Sequence, residues 1–337
     1  MTTETVEASD YFSAAPDPEK ALERRTRMHR QLVKDLGTYV RVASKVYPGA
    51  AANARTALSA LDPAQRLAPL LYTIHYDLKN GLVAQDAGAV CEGLNALAFA
   101  VEAGRHVDRG FAVERIRGDA VDTAIMDLVI NGDGPRDEFG RPAEMTGPDA
   151  ASMAQALAWA EECLPILAEV DPPLFGEFET FVSRLRLFAG TGVRGVTSVR
   201  TFGLISLRVP DREEAAQGPL YFLDHVTHET SHLSLHSLMN VDPLIENAWE
   251  KRFAAPIRPD ARPLYGIYHA TFVLSRITRV FARAAASLGG AEAVRLRDVQ
   301  HDRFWKGYRT VSEHAELTPA GRQVLASCRA TVEEAMA

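Results

Sequence analysis

Histidine is concentrated in one short stretch of this chain. Four of its ten histidines, His225, His228, His232 and His236, fall within the run His225–His236. On an α-helix each residue advances by about 100°, so His228 and His232 stand one turn apart and roughly 40° from each other. Imidazoles so placed lean the same way and can converge on one metal ion. His225 and His236 extend the stripe by a turn at either end, as groups that contact substrate or support the ligands. The inner pair spells H-E-x-x-H. Glu229 projects about 100° from His228, beside a metal rather than toward it. In a zinc peptidase this glutamate is the general base for metal-bound water. The plain alternative is a polar helix face with no metal, but such a face has no need of four histidines.

Two imidazoles are too few for a catalytic metal, so a further ligand must come from elsewhere. Asp242, Glu246 and Glu250 follow the histidine run and would suit a gluzincin-like site. The metzincin spacing fails, because His236 follows His232 by four residues with no glycine between. The other candidate is His269, on an apolar segment where a histidine needs a partner. A core histidine bonded to backbone would also satisfy that position.

The elements that would position these groups can be read from periodicity and breakers. Pro219–Leu223 reads as a short strand entering the histidine helix. Val196–Val209 reads as a longer strand, joined to it by the polar loop 210–218. A hairpin leading into a metal helix resembles the frame of zinc peptidases, where an edge strand pairs with an extended peptide. A charged loop follows, about 240–263, and then a strongly periodic helix over 264–288. His269 and Arg276 share a face of that helix within about 20°. Helices over 291–314 and 319–336 close the chain.

The first half reads as almost entirely helical. Residues 1–17 read as a mobile tail. Helices are expected from Pro18 to the Tyr47-Pro48-Gly49 stop, over 51–78 with a break at Asp62-Pro63, from Asp86 onward, over 121–130, 149–169 and 173–188. The Gly, Pro and Asp-rich stretch 131–148 reads as a loop or lid. It is not a calcium loop, because the position that needs glutamate is Pro142. Gly190-Thr191-Gly192-Val193-Arg194-Gly195 matches G-x-G-x-x-G. Dinucleotide binding needs a strand before that motif and a helix after it, whereas here a helical pattern precedes and a β-rich run follows. It reads as a turn. The predicted fold is mainly α with a small β-hairpin or sheet. A helical N-terminal domain or cap (1–195) joins a metal domain (196–337) built on a zincin-like H-E-x-x-H helix.

Composition excludes several classes. The chain has 337 residues, 47% hydrophobic and 24% charged, with a net charge of −7. A negative balance argues against holding nucleic acid through its phosphates. No apolar run is long enough to span a bilayer. The first residues lack a basic-then-apolar signal peptide. Cys91, Cys163 and Cys328 are scattered and form no C-x-x-C pair or disulfide framework. A cytoplasmic protein is expected.

Three groups of residues together resemble a known family. They are Gly218-Pro219-Leu220-Tyr221-Phe222, then His228-Glu229-x-x-His232-x-x-Leu235-His236, then Arg262-Pro263-Leu264-x-Gly266-x-x-His269-x-x-Phe272. The pattern is similar to the HExxH-motif proteins of ribosomal-peptide biosynthesis, found beside radical-SAM enzymes. The resemblance covers residues 196–288 well and the C-terminal helices weakly, and does not reach the first half. It implies an iron(II)- and 2-oxoglutarate-dependent peptide β-hydroxylase, a dioxygenase acting on a residue such as aspartate in a precursor peptide. It implies that His228, His232 and His269 hold the iron. It also implies a cation for the distal carboxylate of 2-oxoglutarate, with Arg276 the first choice by its shared face with His269, and Arg262 and Arg279 as alternatives. A radical-SAM enzyme of the same pathway is a possible partner. Glu229 then has no obligatory base role and could orient water, substrate or a ligand. The competing readings are a zinc metallopeptidase using Glu229 as base, and a non-catalytic peptide-binding module.

Overall fold

The computed structural model describes residues 11–130, 143–258 and 260–337. It is mainly helical with a small sheet, and several helices begin at a side-chain cap or a proline. Helix α1 (Pro18–Ala43) starts behind Asp17, whose carboxylate accepts the backbone N–H groups of Glu19 and Lys20, both at 3.0 Å. Helix α2 spans Pro48–Leu58 and α3 spans Pro69–Ala84. The expected break at Asp62-Pro63 is therefore a full gap between two helices. Asp86 caps α4 (Ala87–Glu102) through the N–H of Ala89 at 3.1 Å. Helices α5 (Ala120–Ile130), α6 (Ala150–Val170) and α7 (Pro172–Phe181) complete the first part. The histidine helix is α8 (Pro219–Met239), followed by α9 (Leu264–Ser287), α10 (Ala291–His314) and α11 (Pro319–Met336).

Contacts divide the chain into two compact units. One comprises residues 22–156 and 179–209; the other comprises the described residues up to Ala21, residues 157–178 and residues 210–337. The chain thus passes between units several times, where the sequence suggested one boundary after residue 195.

The first unit holds the five-stranded sheet. Strands β1 (Ala112–Arg115), β3 (Arg184–Thr191) and β5 (Leu204–Arg208) run parallel, β4 (Gly195–Thr197) pairs antiparallel with β5, and β2 (Glu144–Thr146) pairs antiparallel with β3. Helix α5 packs into the same core, where Ile125, Phe188 and Leu204 are almost wholly buried. Arg186 of β3 reaches Asp119 at 2.8 Å, Asp122 and Glu114, which ties the strand to β1 and to the start of α5.

Three readings change here. The stretch expected as helix to residue 188 ends at Phe181 and continues as β3. Its Arg184-Leu185-Arg186-Leu187 alternation is a period-two signal that the apolar helical pattern masked. The strand expected over 196–209 is two strands around a 3₁₀ turn, Val199–Thr201. The G-x-G-x-x-G stretch therefore follows a strand and precedes another strand, with no helix after it. Its glycines serve β2: a Cβ on Gly190, at φ +151, would lie 1.8 Å from the Glu144 carbonyl oxygen. The remainder of the loop expected over 131–148 lies largely outside the described residues.

The second unit is built around α9, which packs against α8, α10 and α11. Phe272, Val273, Ser275, Ile277 and Val280 are all buried, so α9 is enclosed on nearly every side. The segment 11–17, expected as a mobile tail, is ordered here. Tyr11, Phe12 and Ala14 are buried, and Ala14 N–H donates to Ser327 Oγ at 2.7 Å. The run Pro219–Leu223, expected as a strand, is the first turn of α8. Gly218 takes φ +54, and Pro219 at the helix start has no N–H to leave unpaired. The β-hairpin thus ends in the other unit and does not lead straight into the histidine helix. Among the described residues, no helix is long and apolar enough to cross a membrane.

Candidate functional site

Helix α8 is buried on most of its circumference. Tyr221, Phe222, Val226, Leu233 and Leu238 are among its core residues, and one stripe remains half-buried: His225, His228, His232, His236 and Met239. That periodicity is the one the sequence gives away. Helix α9 adds His269, which is 7% exposed. Ring centroids of His228 and His232 lie 4.9 Å apart, those of His232 and His269 5.7 Å, those of His236 and His269 5.5 Å, and those of His232 and His236 6.2 Å. His232 is the hub, in ring contact with all three others. His225 stands aside, stacked on Tyr221 at 4.3 Å, with its Nδ1–H donating to the Tyr221 carbonyl at 2.7 Å.

Burial sets the protonation of the cluster. It pushes His228 down to about 3, with the neighbouring His225 adding to the effect, and His236 down to about 4. His232 and His269 fall well below the ordinary imidazole range, first by burial and then through the adjacent histidines. All four are therefore neutral near pH 7, the form that offers a nitrogen lone pair to a metal. The donor chemistry fits a metal ion. Among the described residues, however, no three His, Cys, Asp or Glu side chains already converge on one point at coordination distance. His269 Nε2 instead faces the Met239 thioether at 3.1 Å. Side-chain rotation would be needed to close a coordination sphere.

Glu229 sits off this stripe and is 3% exposed, as its angle from His228 requires. The acidic alternatives are placed elsewhere. Asp242 accepts hydrogen bonds from Leu244 N–H at 2.8 Å and Thr318 Oγ at 2.6 Å, while Glu246 and Glu250 are exposed on the loop after α8.

The arginines separate sharply. Arg276 is fully buried, ion-paired with Glu177 of α7, and its Nε donates to the Ala14 carbonyl at 2.9 Å. Arg279 binds Asp171 through Nε at 2.6 Å and Nη2 at 3.2 Å. Both guanidiniums are already paired within the chain. Sharing a face with His269 was a poor guide, because seven residues also carry Arg276 about 10 Å along the helix axis. Arg262, just before α9, is half-buried and pairs with the exposed Asp260 at 2.8 Å.

Two aromatics escaped the sequence reading. Tyr265 lies one turn before His269, with ring centroids 4.3 Å apart, and Trp249, 51% exposed, lies 5.5 Å from Tyr265. They form a run of tilted ring contacts from an exposed Trp249 to His269. The i, i+4 relation of Tyr265 to His269 was the available signal; that of Trp249 depends on how the loop folds back. Met239 was also missed, although it continues the stripe three residues beyond His236.

No protein-family model matches the chain, and no curated protein matches it significantly.

Proposed function

We propose that this chain is an iron(II)- and 2-oxoglutarate-dependent hydroxylase acting on a residue within a ribosomally made peptide. One observation carries the reading: three imidazoles on one stripe of α8 and a fourth from α9 gather around His232, recessed and neutral. Iron(II) held there, with 2-oxoglutarate and O₂, would supply oxidation of an unactivated C–H bond. The protein's own contribution is placement. The histidines provide neutral donors. Arg262, half-buried and paired with the exposed Asp260, provides a cation near the start of α9 for the distal carboxylate of the cosubstrate. Tyr265 packs on His269. Trp249 offers an exposed apolar surface beside the cluster for a peptide side chain. Glu229 is assigned no proton transfer, since it is buried off the histidine stripe. The peptidase alternative is weaker for a local reason: it calls for an edge strand beside the metal helix, and the segment entering α8 is helical.

The test incubates anaerobically purified protein with iron(II), 2-oxoglutarate, O₂ and a candidate peptide, then weighs the peptide. The expected outcome is a gain of one oxygen atom with stoichiometric succinate and an intact backbone, abolished when zinc replaces iron. Peptide fragments formed with zinc and without 2-oxoglutarate would make the protein a peptidase. Tight peptide binding with no mass change would make it a binding module.

A further inference from the structure

The four clustered imidazoles do not contribute equally, and their unequal contacts say where a metal would sit. This step rests on reading the cluster as a metal centre. The H-E-x-x-H pair is the obvious seat, because His228 and His232 are the closest rings at 4.9 Å. A third ligand must approach that pair from another element, and His269 does not approach it symmetrically. Its ring lies 5.7 Å from His232 and 5.5 Å from His236, and its Nε2 is 3.1 Å from Met239 Sδ. All three contacts fall on the C-terminal half of α8. His228 lies eleven residues before Met239, about 16 Å along a helix axis. Among the described residues, the ring contact of His228 is with His232. The triangle that closes on all three sides is His232, His236 and His269, with sides of 5.5, 5.7 and 6.2 Å.

We infer that the metal is seated one turn beyond the H-E-x-x-H pair, liganded by His232, His236 and His269, with His228 outside the coordination sphere. The i, i+4 relation of His232 and His236 is the same as that of His228 and His232, so α8 can present either pair to a metal. The position of His269 decides between them. His228 then orients His232 or contacts substrate.

The experiment titrates the full-length protein with cobalt(II) under anaerobic conditions. It follows the visible ligand-field absorption and measures retained metal after dialysis. The variants are His228→Gln, His236→Gln and His269→Gln, each checked for native helicity by circular dichroism. Glutamine keeps a polar side chain and guards against misfolding. Loss of an orienting group costs about 10–100-fold in metal affinity, so loss of a true ligand should exceed that. His236→Gln and His269→Gln should each weaken cobalt binding by more than ~100-fold, and His228→Gln by less. A His228→Gln loss equal to that of His269→Gln, with His236→Gln binding normally, would overturn the inference in favour of the H-E-x-x-H pair. Equal losses at His228 and His236 would also overturn it. A wild-type protein that takes up no cobalt would remove the metal-centre reading itself, a result distinct from either.

Discussion

Helix α9 carries two kinds of polar residue that look alike in sequence and behave oppositely. Near its start, His269 joins three imidazoles on the half-buried stripe of α8, and among the described residues its hydrogen-bond partner is a methionine sulfur. Two turns on, Arg276 and Arg279 are sealed against Glu177 and Asp171. The arginine region has its charges matched within the chain. Glu177 also accepts the backbone N–H of Asp17 at 2.9 Å, and Arg276 holds the Ala14 carbonyl, so one ion pair fastens the N-terminal segment. The histidine region keeps lone pairs on neutral rings, and among the described residues no ion pair engages His228, His232, His236 or His269. Polar groups already matched internally support structure, and polar groups gathered without a matching partner are suited to an exogenous ligand.

The sharpest way to break this contrast is to unpair the arginine region. Arg276→Leu leaves the Glu177 carboxylate buried and uncompensated, and removing one partner of a buried pair costs about 3–5 kcal/mol. The expected result is a clear drop in the urea midpoint, largely recovered in the double variant Arg276→Leu/Glu177→Leu. His269→Gln should shift that midpoint far less while removing metal binding. If Arg276→Leu were as stable as wild type, the clamp would not be structural.

Acid acts on the other region. His236 has a folded-state pKa of about 4 against an ordinary 6.5. Between those values the unfolded chain binds a proton that the folded chain refuses, so folding stability is complete above pH 6.5 and falls as pH drops toward 4. The loss from this residue is at most about 3 kcal/mol. Urea melts of metal-free protein across pH 4–7 should show the decline, and His236→Gln should make it shallower, with His228, His232 and His269 carrying the rest. A stability that is flat or rises on acidification would contradict the burial of the cluster.

The smallest effect concerns the remaining cation. Arg262→Gln should raise the KM for 2-oxoglutarate about tenfold, equivalent to about 1.4 kcal/mol, with kcat largely kept. An unchanged KM would leave the cosubstrate carboxylate without its assigned partner.

Much of the frame follows from the sequence alone, for local reasons. The Gly289-Gly290 break precedes the helix over 291–314, and Pro319 with the Thr318 cap starts the helix over 319–336, all within the chain itself. The four-histidine stripe on α8 is likewise a property of helical spacing, and residue types alone name His228, His232, His236 and His269. What spacing cannot supply is the identity of the group across a contact. Helical periodicity placed Arg276 with His269, but Glu177, nearly one hundred residues earlier, claimed it. The run 184–191 carries a strand pattern inside an apolar stretch, and pairing with β1, β2 and β5 made it a strand. The 11–17 segment reads as a tail from its Ala15-Pro16-Asp17-Pro18 end until Ser327 and Arg276 fix its backbone. The choice between the two histidine pairs on α8 was also left to tertiary structure. Both have the same spacing, and only the packing of α9 brings His269 against His232, His236 and Met239.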